Sequence, residues 1–97
     1  MRVIARRTLR EFWVRHADAA PPLLAWFREV ESEEWQGPAD VKARYPGASF
    51  LRGSRVVFNI KGNRYRLVVR IDYAFQLAFI RFVGTHAEYD RIDAGEV

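Results

Sequence analysis

A chain of 97 residues with 49% apolar content supports one domain with a modest core, and its formal charge of +4 and pI near 10.0 favour an acidic partner. Zero cysteines exclude disulfides and thiolate metal sites, and two histidines, His16 and His86, are too few for a histidine-based zinc site. No apolar run approaches the ~20 residues of a membrane span and the N-terminus lacks the apolar stretch of a signal peptide, so a cytoplasmic protein without metal, cofactor or membrane contact is expected.

Met1 to Ile4 is short and β-branched, as an edge strand would be. Thr8 and Glu11 have the spacing of a capping box, which predicts a helix beginning at Thr8 and carrying Leu9, Phe12 and Trp13 on its apolar side. That helix is expected to fail near Ala17. Asp18 is then placed to cap a second helix, in whose first turn Pro21 and Pro22 are tolerated. Its core face is Leu23, Leu24, Phe27 and Val30, with Trp26 or Trp35 at the margin. The four acids Glu29, Glu31, Glu33 and Glu34 read as a solvated face.

A short helix is predicted over Ala39 to Arg44, begun after Gly37-Pro38 and stopped by Tyr45-Pro46-Gly47. Strands follow at Ser49 to Leu51, Arg55 to Ile60, Tyr65 to Asp72 and Leu77 to Val83. Taking Gly62-Asn63 as a two-residue loop pairs Ile60/Tyr65, Phe58/Leu67 and Val56/Val69 on an apolar face. The opposite face then holds Lys61/Arg64, Asn59/Arg66, Val57/Val68 and Arg55/Arg70. A four-residue turn after Asp72 adds Ile71/Ala78, Val69/Ile80 and Leu67/Phe82 to the apolar face, and Arg70/Phe79 and Val68/Arg81 to the basic one. Gly84 begins a turn into a short terminal helix capped by Thr85, with Glu88 three residues on. One domain, residues 1–97, accounts for the chain.

The basic face is the chemically distinctive feature. Between Arg52 and Arg81 lie seven Lys or Arg residues and one acid, Asp72. Two of the pairs across the first hairpin are like-charged, a destabilising arrangement that an anion relieves. Fourteen arginines against two lysines strengthen the case for phosphate, because guanidinium grips it bidentately and stacks on bases. The plainer reading is arginines fanned into water.

Arg66, Arg70 and Arg81, with Lys61, Asn63 and Arg64 at the hairpin tip, form a field for phosphodiesters, and Phe79 is placed to stack on a base or to lie under the C-terminal segment. RNA cleavage without a metal needs a base for the 2′-hydroxyl, an acid for the leaving 5′-oxygen and cations for the phosphorane. His86, three residues past the last predicted strand, with Tyr89 or Asp90 and with Arg81 and Arg66, supplies side chains of those types. Against this, His86 is equally a turn residue and Tyr89 a core-packing ring. His16, at the end of the first helix, suits the helix dipole.

The run Arg55-Val-Val-Phe-Asn-Ile-Lys-Gly-Asn-Arg-Tyr-Arg-Leu-Val-Val-Arg, followed by Ile80-Arg-Phe-Val-Gly-Thr-His-Ala-Glu-Tyr-Asp-Arg-Ile, resembles the HigB-type toxins of bacterial type II toxin–antitoxin pairs. The N-terminal strand and helices and the segment Pro38-Ala39-Asp40-Val41-Lys42 fit the same pattern. The resemblance implies an α+β, RelE-like fold: an N-terminal strand and two to three helices on one face of an antiparallel sheet of about four to five strands, with a short C-terminal helix or tail. It implies metal-independent endoribonucleolytic cleavage of mRNA, commonly at the ribosome. It also implies control by a HigA-type helix-turn-helix antitoxin, through which alone the toxin would meet operator DNA. By matching motif, His86 and Tyr89 are carried over as acid/base candidates and Lys61, Arg64, Arg66, Arg70 and Arg81 as phosphate contacts. Arginine stands where some ribosome-dependent relatives carry lysine clusters. The non-enzymatic alternatives are a basic RNA- or ribosome-binding module and a docking surface for an acidic partner helix.

Overall fold

The computed structural model describes residues 1–97 as β1 (Arg2–Ile4), α1 (Arg6–Arg15), a 3-10 turn (Ala17–Ala19), α2 (Ala20–Glu31), α3 (Pro38–Arg44), β2 (Ser49–Leu51), β3 (Arg55–Ile60), β4 (Tyr65–Asp72), β5 (Leu77–Thr85) and α4 (His86–Tyr89). The strands form one sheet in the order β1-β5-β4-β3-β2. β1 runs parallel to β5, and every other neighbouring pair is antiparallel. This is the expected α+β architecture, with α1, α2 and α3 packed on one face of the sheet through Leu9, Phe12, Leu23, Trp26, Val30 and Val41.

The β3–β4 register is the one that alternation and the Gly62-Asn63 loop predict, from Arg55↔Arg70 to Ile60↔Tyr65. The Arg64 amide donates to the Lys61 carbonyl at 3.2 Å across the turn. Positive φ falls on Lys61 and Gly62 rather than on Gly62 and Asn63.

The β4–β5 register departs from expectation midway. Asp72↔Leu77 through Val69↔Ile80 pair as predicted, but a bulge between Val68 and Val69 then sets Val68 opposite Phe82 and Leu67 opposite Val83. Arg81 is the extra residue, so the expected pairs Val68/Arg81 and Leu67/Phe82 do not form. A bulge re-aims the side chains beyond it. Phe82 therefore joins the arginine side, while Val83 packs against the main core.

The arginine side consequently carries its own apolar centre. Val57 and Val68 are buried there together with Ala94, and Leu51, Phe82, Tyr89, Ile92 and Val97 pack around them. Gly84 allows this packing: a Cβ there would lie 2.6 Å from Cζ of Phe82 and 3.1 Å from Oε1 of Glu88.

Three N-terminal expectations are corrected. α1 begins at Arg6, with Ala5 as an N-cap lacking any side-chain bond, so Thr8 lies inside the first turn and not at its head. Asp18 does not cap α2, whose N-cap is Ala19. It accepts a hydrogen bond from the Tyr65 hydroxyl and pairs with Arg64 Nε at 3.2 Å and Lys61 Nζ at 3.6 Å, tying the β3–β4 hairpin tip to the helical layer. Two acids of the supposed solvated face also have structural roles. Glu29 pairs with Arg44 at 2.7 Å and accepts from the Tyr45 hydroxyl, and Glu31 Oε2 accepts from the Val3 amide at 2.7 Å.

Two expectations about stability follow from this packing. Val68→Ala should lower the unfolding free energy by roughly 1.5–3 kcal/mol, the transfer of its lost carbons plus the cavity they leave. In urea titrations a loss under about 0.5 kcal/mol, the usual figure for a surface substitution, would put Val68 in solvent.

The Asp18 carboxyl is held below its ordinary 3.8, chiefly by the Tyr65 hydroxyl and further by Arg64 and Lys61, with partial burial opposing. A depressed folded pKa contributes stability that is complete above the unfolded value and is lost as pH falls through the folded one. The Tm gap between wild type and Asp18→Asn should therefore stay flat above about pH 5 and narrow below about pH 4. A gap unchanged down to acid unfolding contradicts the ion-pair account.

Candidate nucleic-acid interface

α4 is built at the end of the sheet by a complete capping box. Thr85 Oγ1 accepts from the Glu88 amide at 3.2 Å, and Glu88 Oε1 accepts from the Thr85 amide at 2.8 Å. The Thr85 amide holds the Glu88 carboxyl below its ordinary value, with partial burial opposing. The His86 amide donates to the Arg64 carbonyl at 3.2 Å, which pins the start of α4 to the β3–β4 tip.

Two side-chain pairs form at this corner. His86 Nδ1 lies 3.1 Å from Asp90 Oδ2, one helical turn on, with both side chains more than half exposed. The Arg66 guanidinium sits 5.9 Å from the centre of the Tyr89 ring and donates through Nη1 to the Asn63 carbonyl at 3.1 Å. The Tyr89 ring lies 6.5 Å from that of Phe82, so it packs at the margin of the arginine-side apolar centre. Gly84 is the partner of Arg66 across the strands.

The remaining predicted residues are distributed differently. Arg70 covers the Phe79 ring at 4.5 Å. That pair is roughly 13 Å along β4 from Arg66, at ~3.3 Å per residue. Arg81 is exposed at the bulge and its Nε reaches the Val97 carbonyl at 3.2 Å. Lys61 and Arg64, at the tip, are engaged by Asp18 on the helical side. Asn63 contributes its carbonyl to Arg66, and its side chain is on the exposed turn.

The seven cations between Arg52 and Arg81 are thus less isolated than the local sequence implies. Besides Asp18, the segment after α4 supplies Asp93 and Glu96, which pair with Arg52 at 3.0 and 2.6 Å. The Val97 carbonyl also accepts from Arg55 Nε at 2.8 Å and Nη2 at 2.6 Å. Asp18, Asp93, Glu96 and Phe82 were missed as parts of this surface, and Arg52 and Arg55, counted among its cations, were not expected to be held by the segment after α4. One signal for a cover was present: Val57 and Val68, two β-branched residues facing each other in the middle of a supposedly solvated face.

Between β2 and the segment after α4 lies an open cleft of about 760 Å³, lined by Phe50, Leu51, Arg52, Tyr89, Asp90 and Ile92 among others. It adjoins the His86–Asp90 pair through Asp90. No three His, Cys, Asp or Glu side chains converge as a metal-ligating set, and no helix is long and apolar enough to cross a membrane.

Comparison with known proteins brings sequence and geometry together. Residues 19–92 match the family described as HigB toxin, RelE-like toxic component of a toxin–antitoxin system. The chain is 27% identical over 92 residues to the mRNA interferase toxin HigB of Escherichia coli K12, covering 93% of this chain and 88% of that protein. The mRNA interferase HigB of Shigella flexneri matches to the same extent. That of Escherichia coli O6:H1 is 21% identical over 94 residues, covering 95% and 91%. With three quarters of its length matched and the expected sheet and helices in place, the chain belongs to the HigB family of RelE-like toxins.

Proposed function

We propose that this protein is an mRNA-cleaving endoribonuclease, the toxin of a type II toxin–antitoxin pair, with its site at the corner where α4 meets the β3–β4 hairpin. The observation that carries the reading is that α4, at the edge of an arginine-rich sheet, supplies both the His86–Asp90 pair and the Tyr89 ring against which Arg66 lies. The names of the relatives support it from a separate direction.

With Nδ1 turned to Asp90, a neutral His86 imidazole offers Nε2 as a proton acceptor, and the carboxylate stabilises the imidazolium that results. His86 takes the proton of a ribose 2′-hydroxyl, and the 2′-oxygen forms a bond to the adjacent phosphorus. The bond from phosphorus to the 5′-oxygen breaks, and the Tyr89 hydroxyl gives its proton to the leaving oxygen. Arg66 stabilises the charge on the phosphorane, a role guanidinium fills with its fixed fork of donors, and Arg81 joins it on leaving the Val97 carbonyl. Arg70, with Lys61, Asn63 and Arg64 at the tip, extends the phosphate path, and Phe79 offers a ring for a neighbouring base. No metal or cofactor has a part in this scheme.

The partner would be a HigA-type antitoxin containing a helix-turn-helix, and operator DNA would be reached only through it. The ribosome would present the mRNA, in the cytoplasm.

His86→Ala should lower the single-turnover rate on mRNA by about 10²–10⁴-fold, and Arg66→Ala by about 10²–10³-fold. Both should fold normally, because neither side chain is buried. Growth arrest on expression should weaken in parallel. Asp90→Asn should cost less than His86→Ala, since it disturbs the imidazole without removing it. Full activity in His86→Ala rejects the assignment of the base. RNA binding with a steep salt dependence but no cleavage by wild type, with or without ribosomes, would leave a non-catalytic RNA- or ribosome-binding module.

A further inference from the structure

We infer that the segment after α4, residues 91–97, is an intramolecular stand-in for an RNA backbone: it occupies three arginines of the sheet and must be displaced when single-stranded RNA binds. The inference rests on the reading of this face as an RNA surface and names a regulation of it.

The segment is a built turn and not a loose end. The Glu96 amide donates to the Asp93 carbonyl at 2.9 Å, and the Gly95 amide to Asp93 Oδ1 at 3.0 Å. It is anchored by one small residue, Ala94, buried against Val57 and Val68. Around that anchor its oxygens meet cations just after β2 and on β3 and β5. Asp93 and Glu96 hold Arg52, which follows β2, and the Val97 carbonyl is shared by Arg55 of β3 and Arg81 of β5. The Arg52 side chain lies so close over Gly95 that a Cβ there would stand 3.0 Å from its Nε.

A run of anionic and carbonyl oxygens crossing a row of guanidinium groups has the chemistry of a polynucleotide backbone on the same groups. Its hold is of a kind that RNA can replace. The ion pairs are more than half exposed, where such pairs are weak and screened by salt. The apolar anchor is a single Ala with Ile92 and Val97 beside it. Phosphates arriving on Arg52, Arg55 and Arg81 replace those partners, and a base can take the apolar place over Val57, Val68 and Phe82. The strap thus sets a threshold: an isolated phosphate meets arginines already partnered, whereas a strand that engages several together pulls the segment away.

The test uses the full chain and a labelled single-stranded RNA methylated at its 2′-oxygens, so that binding is read without cleavage. Asp93→Asn combined with Glu96→Gln keeps a hydrogen-bond acceptor at both positions and removes both charges. Its affinity should rise roughly 3- to 10-fold at low salt, and its salt slope should steepen by about 0.7 for the phosphate that Arg52 becomes free to neutralise. Glu33→Gln combined with Glu34→Gln alters net charge equally from the far side of the molecule, beside Trp35 and Asp40. It should change affinity less than 2-fold by long-range effect alone.

In parallel, the methyl signals of Ala94 and Ile92 should shift on saturation with RNA. Equal gains in the two double variants, or Ala94 and Ile92 signals unmoved at saturation, overturn the strap. Absence of RNA binding by every form overturns it too. Displacement of the strap by a wild-type protein that leaves unmethylated mRNA intact overturns the cleavage reading alone.

Discussion

One extra residue in β5 determines how this molecule is covered. Before the bulge, β4 and β5 alternate in step and give the sheet one apolar side and one arginine side. Beyond it, Phe82 is turned onto the arginine side, where it meets Val57 and Val68. That creates a second apolar centre in a sheet whose other face is already filled by three helices. Water cannot be left on it without losing the hydrophobic contribution of three large side chains. The chain therefore returns after β5, and Tyr89, Ile92, Ala94 and Val97 close the face. The position of α4, and with it His86 and Tyr89, follows from the need to cover Phe82.

The same return explains how so many like charges coexist. The pairs Arg55/Arg70 and Lys61/Arg64 face one another as the hairpin register requires. Their relief comes from residues distant in sequence: Asp18 before α2 engages the tip, while Asp93, Glu96 and the Val97 carbonyl engage Arg52 and Arg55. Arg70 lies on Phe79, and Arg66 on Tyr89 and main-chain oxygens. None of these acids falls between Arg52 and Arg81. A count taken along the chain sees repulsion where the folded molecule has long-range pairing at modest strength.

Local chemistry made much of this legible. The β3–β4 register came from Gly62-Asn63 and period-two alternation, and the Thr85–Glu88 capping box came from spacing alone. The identical spacing at Thr8–Glu11 misled. Thr85 ends a strand and has the extended backbone a cap requires. By contrast, β1 stops at Ile4 and the chain turns into helix directly after Ala5, so Thr8 is already helical. The bulge escaped because Ile80-Arg81-Phe82-Val83 permits either phase: two adjacent apolar residues can each be assigned inward. Fold-level reasoning resolves that ambiguity only when both faces of the sheet are known to be covered. For the candidate site, residue types were legible, whereas their grouping depended on the bulge and on the Arg64–His86 main-chain bond.

The preference for arginine over lysine also acquires a structural reason. Arg55 grips one oxygen through two nitrogens. Arg66 donates to two main-chain carbonyls while its guanidinium carbon lies 5.9 Å from the centre of the Tyr89 ring. Such multiple engagement needs a rigid planar fork that can stack; an ammonium group gives equal charge without that geometry. The fork geometry that holds the molecule's own oxygens is also the one that phosphate oxygens satisfy. Structural closure and affinity for a polyanion are therefore two uses of one set of side chains, with the balance between them set by how many oxygens arrive together.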